Sequence, residues 1–171
     1  MSMSAHGRKT SGWKDDAPDL SPIPNAEHSF EAAKRTRDRL LANESWFDSK
    51  EVAELAHRAV EDADAEQYAS HLRSELRLLG VRWRGKYLHP AFQFQTSGEV
   101  HPAMERLLSA LPITDANWNA AFWFFERNGK LGARRPADLF AHDPDAVVAA
   151  AIQDFVRDEN DGNATSTVTV R

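Results

Sequence analysis

Residues 73–86 place five cations, Arg73, Arg77, Arg82, Arg84 and Lys86, against a single acid, Glu75. An arginine holds a phosphate through two parallel charge-assisted hydrogen bonds, so cations at this density suit a polyphosphate such as DNA. A local patch can act this way although the whole chain carries a net charge of −5, because the nearest charges dominate the field at a surface. The same residues read equally well as a solvated face, neutralised by Glu61, Asp62, Asp64 and Glu66. The spacing is compatible with a nucleic-acid wing without being specific to one.

Other chemistry finds less support. Seven histidines invite a metal, and His101 and Glu105 stand four residues apart. There is no HExxH, no convergent acidic cluster and no nucleophile elbow, whereas an active site needs several convergent groups. His101 reads instead as a residue at a helix start. The chain has no cysteine, hence no thiol nucleophile and no disulfide framework. "NGKLGARRPADLF" contains Gly129 and Gly132, but no strand precedes them and the GxxxxGK[ST] pattern is absent. The expectation is a protein that is not an enzyme, with no catalytic residues, no metal and no cofactor.

The elements that must position the cations are mostly helical. "SFEAAKRTRDRLLANES" predicts a helix over Phe30–Ala42 capped by Ser29, with Ala33, Arg37, Leu40 and Leu41 in helical period. "DSKEVAELAHRAV" predicts a second, with Asp48 and Glu51 as a capping box and Val52, Ala53, Leu55, Ala56 and Val60 as its stripe. A third follows, with Ala65, Tyr68, Ala69, Leu72, Leu76 and Leu79 inward and Gly80 at a left-handed C-terminal position. Its other face carries Gln67, Ser70, His71, Arg73, Ser74 and Arg77. Two such helices can form a helix-turn-helix, although no glycine marks a sharp turn between them. Val81 and Trp83 then alternate with Arg82 and Arg84, Gly85 supplies a turn, and Tyr87–Phe94 returns as a strand. Pro90 places that strand at an edge or a bend.

A new helical pattern begins at Pro102, with Met104, Leu107, Leu108 and Leu111 apolar. Asp115 caps "ANWNAAFWFFERNG", where Trp118, Ala121, Phe122 and Phe125 share a face. Trp123 and Phe124 fall elsewhere, so they either form a partner surface or belong to a core wrapped on two sides. Asn128-Gly129 ends that helix, Leu131 plugs the core, and "PADLF" and "DAVVAAAIQDF" supply two more helical segments. The resulting division is a disordered tail (1–27), a helix-turn-helix-like module with a hairpin (28–95), a compact helical module (96–157) and a flexible tail (158–171). No apolar run approaches the ~18 residues of a membrane span, and the N-terminus lacks a secretory apolar region. These features predict a cytoplasmic protein.

The ordered set "YLHPAFQF", "LLSALP", "WNAAFWFFERNGKLGARRPADLF" and "DPDAVVAAA", over roughly residues 86–155, resembles antitoxins of the Xre/MbcA/ParS family. The matching positions are Trp118, Trp123, Asn128, Leu131, Gly132, Pro136, Leu139 and Ala149–Ala151. The resemblance implies a mainly α fold whose C-terminal module binds a toxin. It further implies a type II antitoxin that blocks the active site of a cognate NAD-consuming RES-domain toxin, forms a homo-oligomer and binds its own operator DNA. Toxin contacts would then come from Trp118, Trp123, Asn128, Leu131, Arg134, Arg135, Arg157 and Arg171. The alternative is a stand-alone DNA-binding regulator acting through Arg73, Arg77, Arg82, Arg84 and Lys86.

Overall fold

The computed structural model describes residues 24–58, 61–114 and 116–156. The expected tails fall mainly beyond these limits, as do Val60, Asp115, Arg157 and Arg171. The described chain is mainly helical, with one small antiparallel sheet: α1 (Pro24–Asn43), β1 (Trp46–Phe47), α2 (Ser49–Leu55), α3 (Asp62–Ser74), β2 (Val81–Trp83), β3 (Lys86–Pro90), α4 (Met104–Ser109), α5 (Trp118–Phe125), α6 (Pro136–Phe140) and α7 (Pro144–Ala151).

Helix α1 begins at Pro24, so Ser29 lies inside it rather than capping it. Proline suits a first helical turn, and "NAEHSFEAAKR" contains no breaker after it. Helix α2 has the expected capping box. Asp48 Oδ1 accepts from Glu51 N at 2.9 Å, and Glu51 Oε2 accepts from Asp48 N at 2.8 Å.

The sharp turn after α2 forms without glycine. His57 adopts φ +56° while its N–H bonds Glu54 O and that of Arg58 bonds Ala53 O, the paired bonds of a Schellman motif. Helix α3 ends the same way, with Leu76 at φ +55°, Leu76 N–H on Arg73 O and Arg77 N–H on Leu72 O. The helix therefore stops at Ser74, earlier than the apolar period suggests. Gly80 is not its left-handed cap. The turn redirects the chain so that Leu78 and Leu79 enter two different cores.

The strands lie in the order β1-β3-β2, all antiparallel. Arg84 (φ +47°) and Gly85 (φ +81°) make a two-residue hairpin turn with both residues left-handed, the type I′ form. Strand β3 is central rather than an edge. Pro90 is tolerated because it is the last residue, opposite Trp46. Ala91–Gln93 form a 3₁₀ turn, so Phe92 and Phe94 do not continue the strand. The two-residue β1 is too short for any period to reveal.

Each sheet face serves a different core. Val81, Leu88, Trp46 and Trp83 pack with Leu40, Leu41, Trp118 and Ala121. Phe47, on the opposite face, packs with Val52, Ala69, Leu72 and Leu78. A third, larger core gathers Met104, Leu107, Leu108, Phe124, Phe140 and Val147 around Leu79. Apolar contacts thus cross the 95/96 boundary in all three cores, and Arg135 adds a fork onto Glu44 at 2.7 and 3.3 Å. Helix α5 lies between two of these cores, Trp118 and Ala121 facing one, Ala120 and Phe124 the other. Its aromatics are thereby accounted for largely as a core wrapped on two sides. Its N-terminal flank is Asn117, left-handed, which donates from Nδ2 to Gly80 O at 2.9 Å.

Candidate nucleic-acid interface

Helix α3 and the β2–β3 hairpin are joined through a chain of polar contacts. Glu66 receives a short hydrogen bond from the Ser49 hydroxyl and one from Arg73 Nη2 at 2.6 Å. The Arg73 guanidinium lies 3.8 Å from the centroid of Tyr87, and its Nη1 lies 3.4 Å from His89 Nε2. His89, fully buried, meets Leu79 O through Nδ1 at 3.1 Å. Because Nε2 faces a guanidinium and Nδ1 faces a carbonyl, the partners assign a neutral ring with its proton on Nδ1. Gln93 completes the site. It accepts from Leu79 N at 2.8 Å and donates to Leu79 O and Pro90 O at 3.0 Å each, satisfying buried backbone groups where β3 ends.

Burial pushes His89 down to about 4, against the smaller upward pull of its bond to Leu79. Burial also pushes Glu66 up, but the Ser49 hydroxyl and the Arg73 guanidinium outweigh it and hold the carboxyl below its ordinary value. A consequence for stability follows from His89. As pH falls through 6.5, the unfolded chain takes up a proton that the folded one refuses until about pH 4. Stability is therefore full above pH 6.5 and drains between 6.5 and 4, by about 3 kcal/mol at 1.36 kcal/mol per unit. Urea unfolding at pH 7.5 and pH 4.5 measures it. The loss shrinks in His89→Gln, and a pH dependence identical in the two proteins would refute the assignment.

The five cations separate into two groups. The Arg73 side chain is 13% exposed and ion-paired. Arg77 is exposed, 3.3 Å from Glu75. Arg82, Arg84 and Lys86 are exposed and form no ion pair among the described residues; Arg84 sits 5.3 Å from the Trp83 centroid. The neighbouring acids are partly neutralised, Asp62 by Lys50 at 3.1 Å and Glu66 by Arg73. Beside the hairpin a cleft of about 550 Å³ runs between Lys50, Asp62 and Glu66 on one wall and Arg82, Lys86 and Tyr87 on the other. Further along α3 the solvent face carries Gln67, Ser70, His71 and Ser74, all exposed. These groups can donate to or accept from base edges.

The residues matched to the antitoxin resemblance are drawn mostly inward. Trp118 is 7% exposed and its Nε1 donates to Arg82 O at 3.1 Å. Trp123 is half-buried and donates to Asp154 Oδ2 at 2.8 Å. Asn128 donates to the same oxygen at 2.8 Å and accepts from Lys130 N at 2.9 Å, while Lys130 Nζ pairs with Asp154 Oδ1. Burial pushes Asp154 up, but Lys130, Trp123 and Asn128 together hold it low. Leu131 is buried. Arg135 is committed to Glu44 and Asp138, which raise its pKa further. Arg134 is exposed, with Nε donating to Leu131 O at 3.2 Å.

Sequence reasoning did not single out His89, Gln93, Asp154 or Glu44 as parts of these networks. Apart from the Gln93–Pro90 contact, their partners stand 10 to 91 residues away, and no spacing rule reaches so far. Among the described residues no three metal-ligating side chains converge, and no helix is long and apolar enough to cross a membrane.

No protein family model matches the chain, and no curated protein does. Among solved structures the chain is similar to that titled "NMR structure of Rv2175c", at 27% sequence identity and a TM-score of 0.52, over 66% of this chain and 82% of that one.

Proposed function

We propose that this protein binds duplex DNA as a winged helix, with α3 facing a groove and the β2–β3 hairpin lying on the backbone. The observation that carries this reading is the element order α1-β1-α2-α3-β2-β3 folded into a sheet of order β1-β3-β2, which sets Arg82, Arg84 and Lys86, without an ion pair among the described residues, on the hairpin beside α3. Phosphate contacts from such a hairpin position the protein, and polar groups on the helix face specify the site. The overall charge of −5 is compatible with this because two of the three acids lining the cleft beside the hairpin, Asp62 and Glu66, are held in ion pairs. A cytoplasmic location, with access to DNA, belongs to the same reading. The test is fluorescence anisotropy of a labelled duplex across a range of salt concentrations. Binding that weakens steeply and log-linearly with salt supports the reading. Absence of binding at low salt rejects it.

As a second reading we propose that the α6–α7 side meets a RES-domain toxin, in a homo-oligomer as the antitoxin resemblance implies. Its support is the exposed apolar surface of Ile152 and Val156, 44% and 43% exposed, beside the clasp that Asp154 makes with Trp123, Asn128 and Lys130. Co-purification with a co-expressed RES-domain protein tests this, and loss of that complex in a protein carrying Ile152→Asp and Val156→Asp locates it.

A further inference from the structure

Arg73 is one of five cations that the sequence offers to DNA, yet its surroundings leave it little freedom to reach a phosphate. Glu66 takes one edge of its guanidinium at 2.6 Å, the Tyr87 ring lies under its face at 3.8 Å, and His89 Nε2 stands 3.4 Å from its Nη1. These partners come from α3 itself and from β3. Glu66 in turn is held by Ser49 at the start of α2. The guanidinium therefore ties together the helix, its neighbour and the hairpin. The backbone is shaped to admit it. A Cβ on Gly80 would stand 2.9 Å from Arg73 Cδ and 2.8 Å from His89 Cε1, closer than side-chain atoms approach one another, so glycine at this position lets both side chains in.

We propose that Arg73 is the positioning residue for base readout. It fixes the angle of α3 against the hairpin, so that Gln67, Ser70, His71 and Ser74 meet base edges while Arg82, Arg84 and Lys86 hold phosphates, and it contacts no phosphate itself. This rests on the DNA-binding reading. The physical requirement is strict because hydrogen bonds to base edges are directional, whereas attraction to phosphate tolerates displacement. A tilt of α3 thus removes discrimination while leaving non-specific attraction in place. Lysine cannot substitute, since an ammonium is a point charge that neither forks nor stacks as a guanidinium does.

The experiment uses the full chain and two DNA probes, a duplex selected by the wild-type protein from a randomised pool and a scrambled duplex of the same composition. Arg73→Lys and Arg73→Gln are each expected to lower the ratio of affinities for selected over scrambled duplex by about tenfold or more, the size of one lost base contact, with an unchanged salt slope. A slope that falls by about 1 with the ratio preserved makes Arg73 a phosphate contact and overturns the proposal. A ratio restored by Arg73→Lys overturns it as well, since charge alone would then suffice. If the wild-type protein binds every duplex equally, there is no discrimination to position and the proposal fails while DNA binding stands. If it binds no duplex at all, the functional reading itself fails and takes this inference with it. Unfolding midpoints are measured for each variant. Should the Arg73 variants not fold, Glu66→Gln, which keeps Arg73 but removes the carboxylate that orients it, decides alone: a lower ratio at unchanged slope supports the proposal, and an unchanged ratio overturns it.

Discussion

A protein carrying Arg82→Gln, Arg84→Asn and Lys86→Gln together binds duplex DNA with a salt slope lower by about 3 than that of the wild type, because each cation on a phosphate releases roughly one counterion. At ~0.1 M salt the lost counterion release weakens binding by roughly two to three orders of magnitude. The substitutions are chosen to spare the fold. All three side chains are exposed, and exposed changes of this kind usually alter stability by only about 0.5 kcal/mol. Asparagine is used at 84 because that residue has φ +47°, a conformation asparagine accepts more readily than most residues. The comparison is made by anisotropy at several salt concentrations, with the unfolding midpoint as control. An unchanged slope in a folded triple variant would remove the hairpin from the DNA interface.

Trp118→Ala is expected to cost about 3–5 kcal/mol, the range for a large aromatic removed from a core. Its ring stands 6.3 Å from that of Trp46 and 5.9 Å from that of Trp83, centroid to centroid. Its Nε1 is the donor to Arg82 O. One side chain thereby packs α5 against the root of the hairpin and satisfies a carbonyl of the same strand. Trp118→Phe retains most of the packing and should lose about 1 kcal/mol for the missing hydrogen bond. Trp123→Ala should cost less than Trp118→Ala, because Trp123 is only half-buried. Urea denaturation orders the three variants. A Trp118→Ala protein within ~1 kcal/mol of the wild type would contradict the packing described, since core truncations of this size cost several times that.

Much of the helical framework could be read locally. The Asp48/Glu51 box, the apolar stripe of Met104, Leu107 and Leu108, Pro136 and Pro144 at helix starts and the Arg84-Gly85 turn all announce themselves within a few residues. What escaped is what local pattern does not encode. Leu76 and His57 adopt left-handed backbone where glycine would be expected, because tertiary contacts outweigh the modest cost of such a conformation. Leu76 and Leu79 continue the apolar period of α3, yet the chain turns between them. Helix α5 offered two partitions of its aromatics, and only the position of two separate cores showed that Phe124 is more deeply buried than Phe122 or Phe125. The cation cluster was evident in the sequence as a cluster. Its division into Arg73, which is engaged, and Arg82, Arg84 and Lys86, which form no ion pair among the described residues, depends on Glu66, Tyr87 and His89, and no spacing rule reveals that these converge.

The most direct test of DNA binding by α3 and the hairpin is a titration of isotopically labelled protein with duplex DNA, followed by backbone amide NMR. The account predicts that the largest shift changes fall on residues 67–74 and 82–87, with α6 and α7 unaffected. Changes concentrated on α6 and α7, or no changes at a salt concentration low enough for phosphate contacts to form, would contradict it.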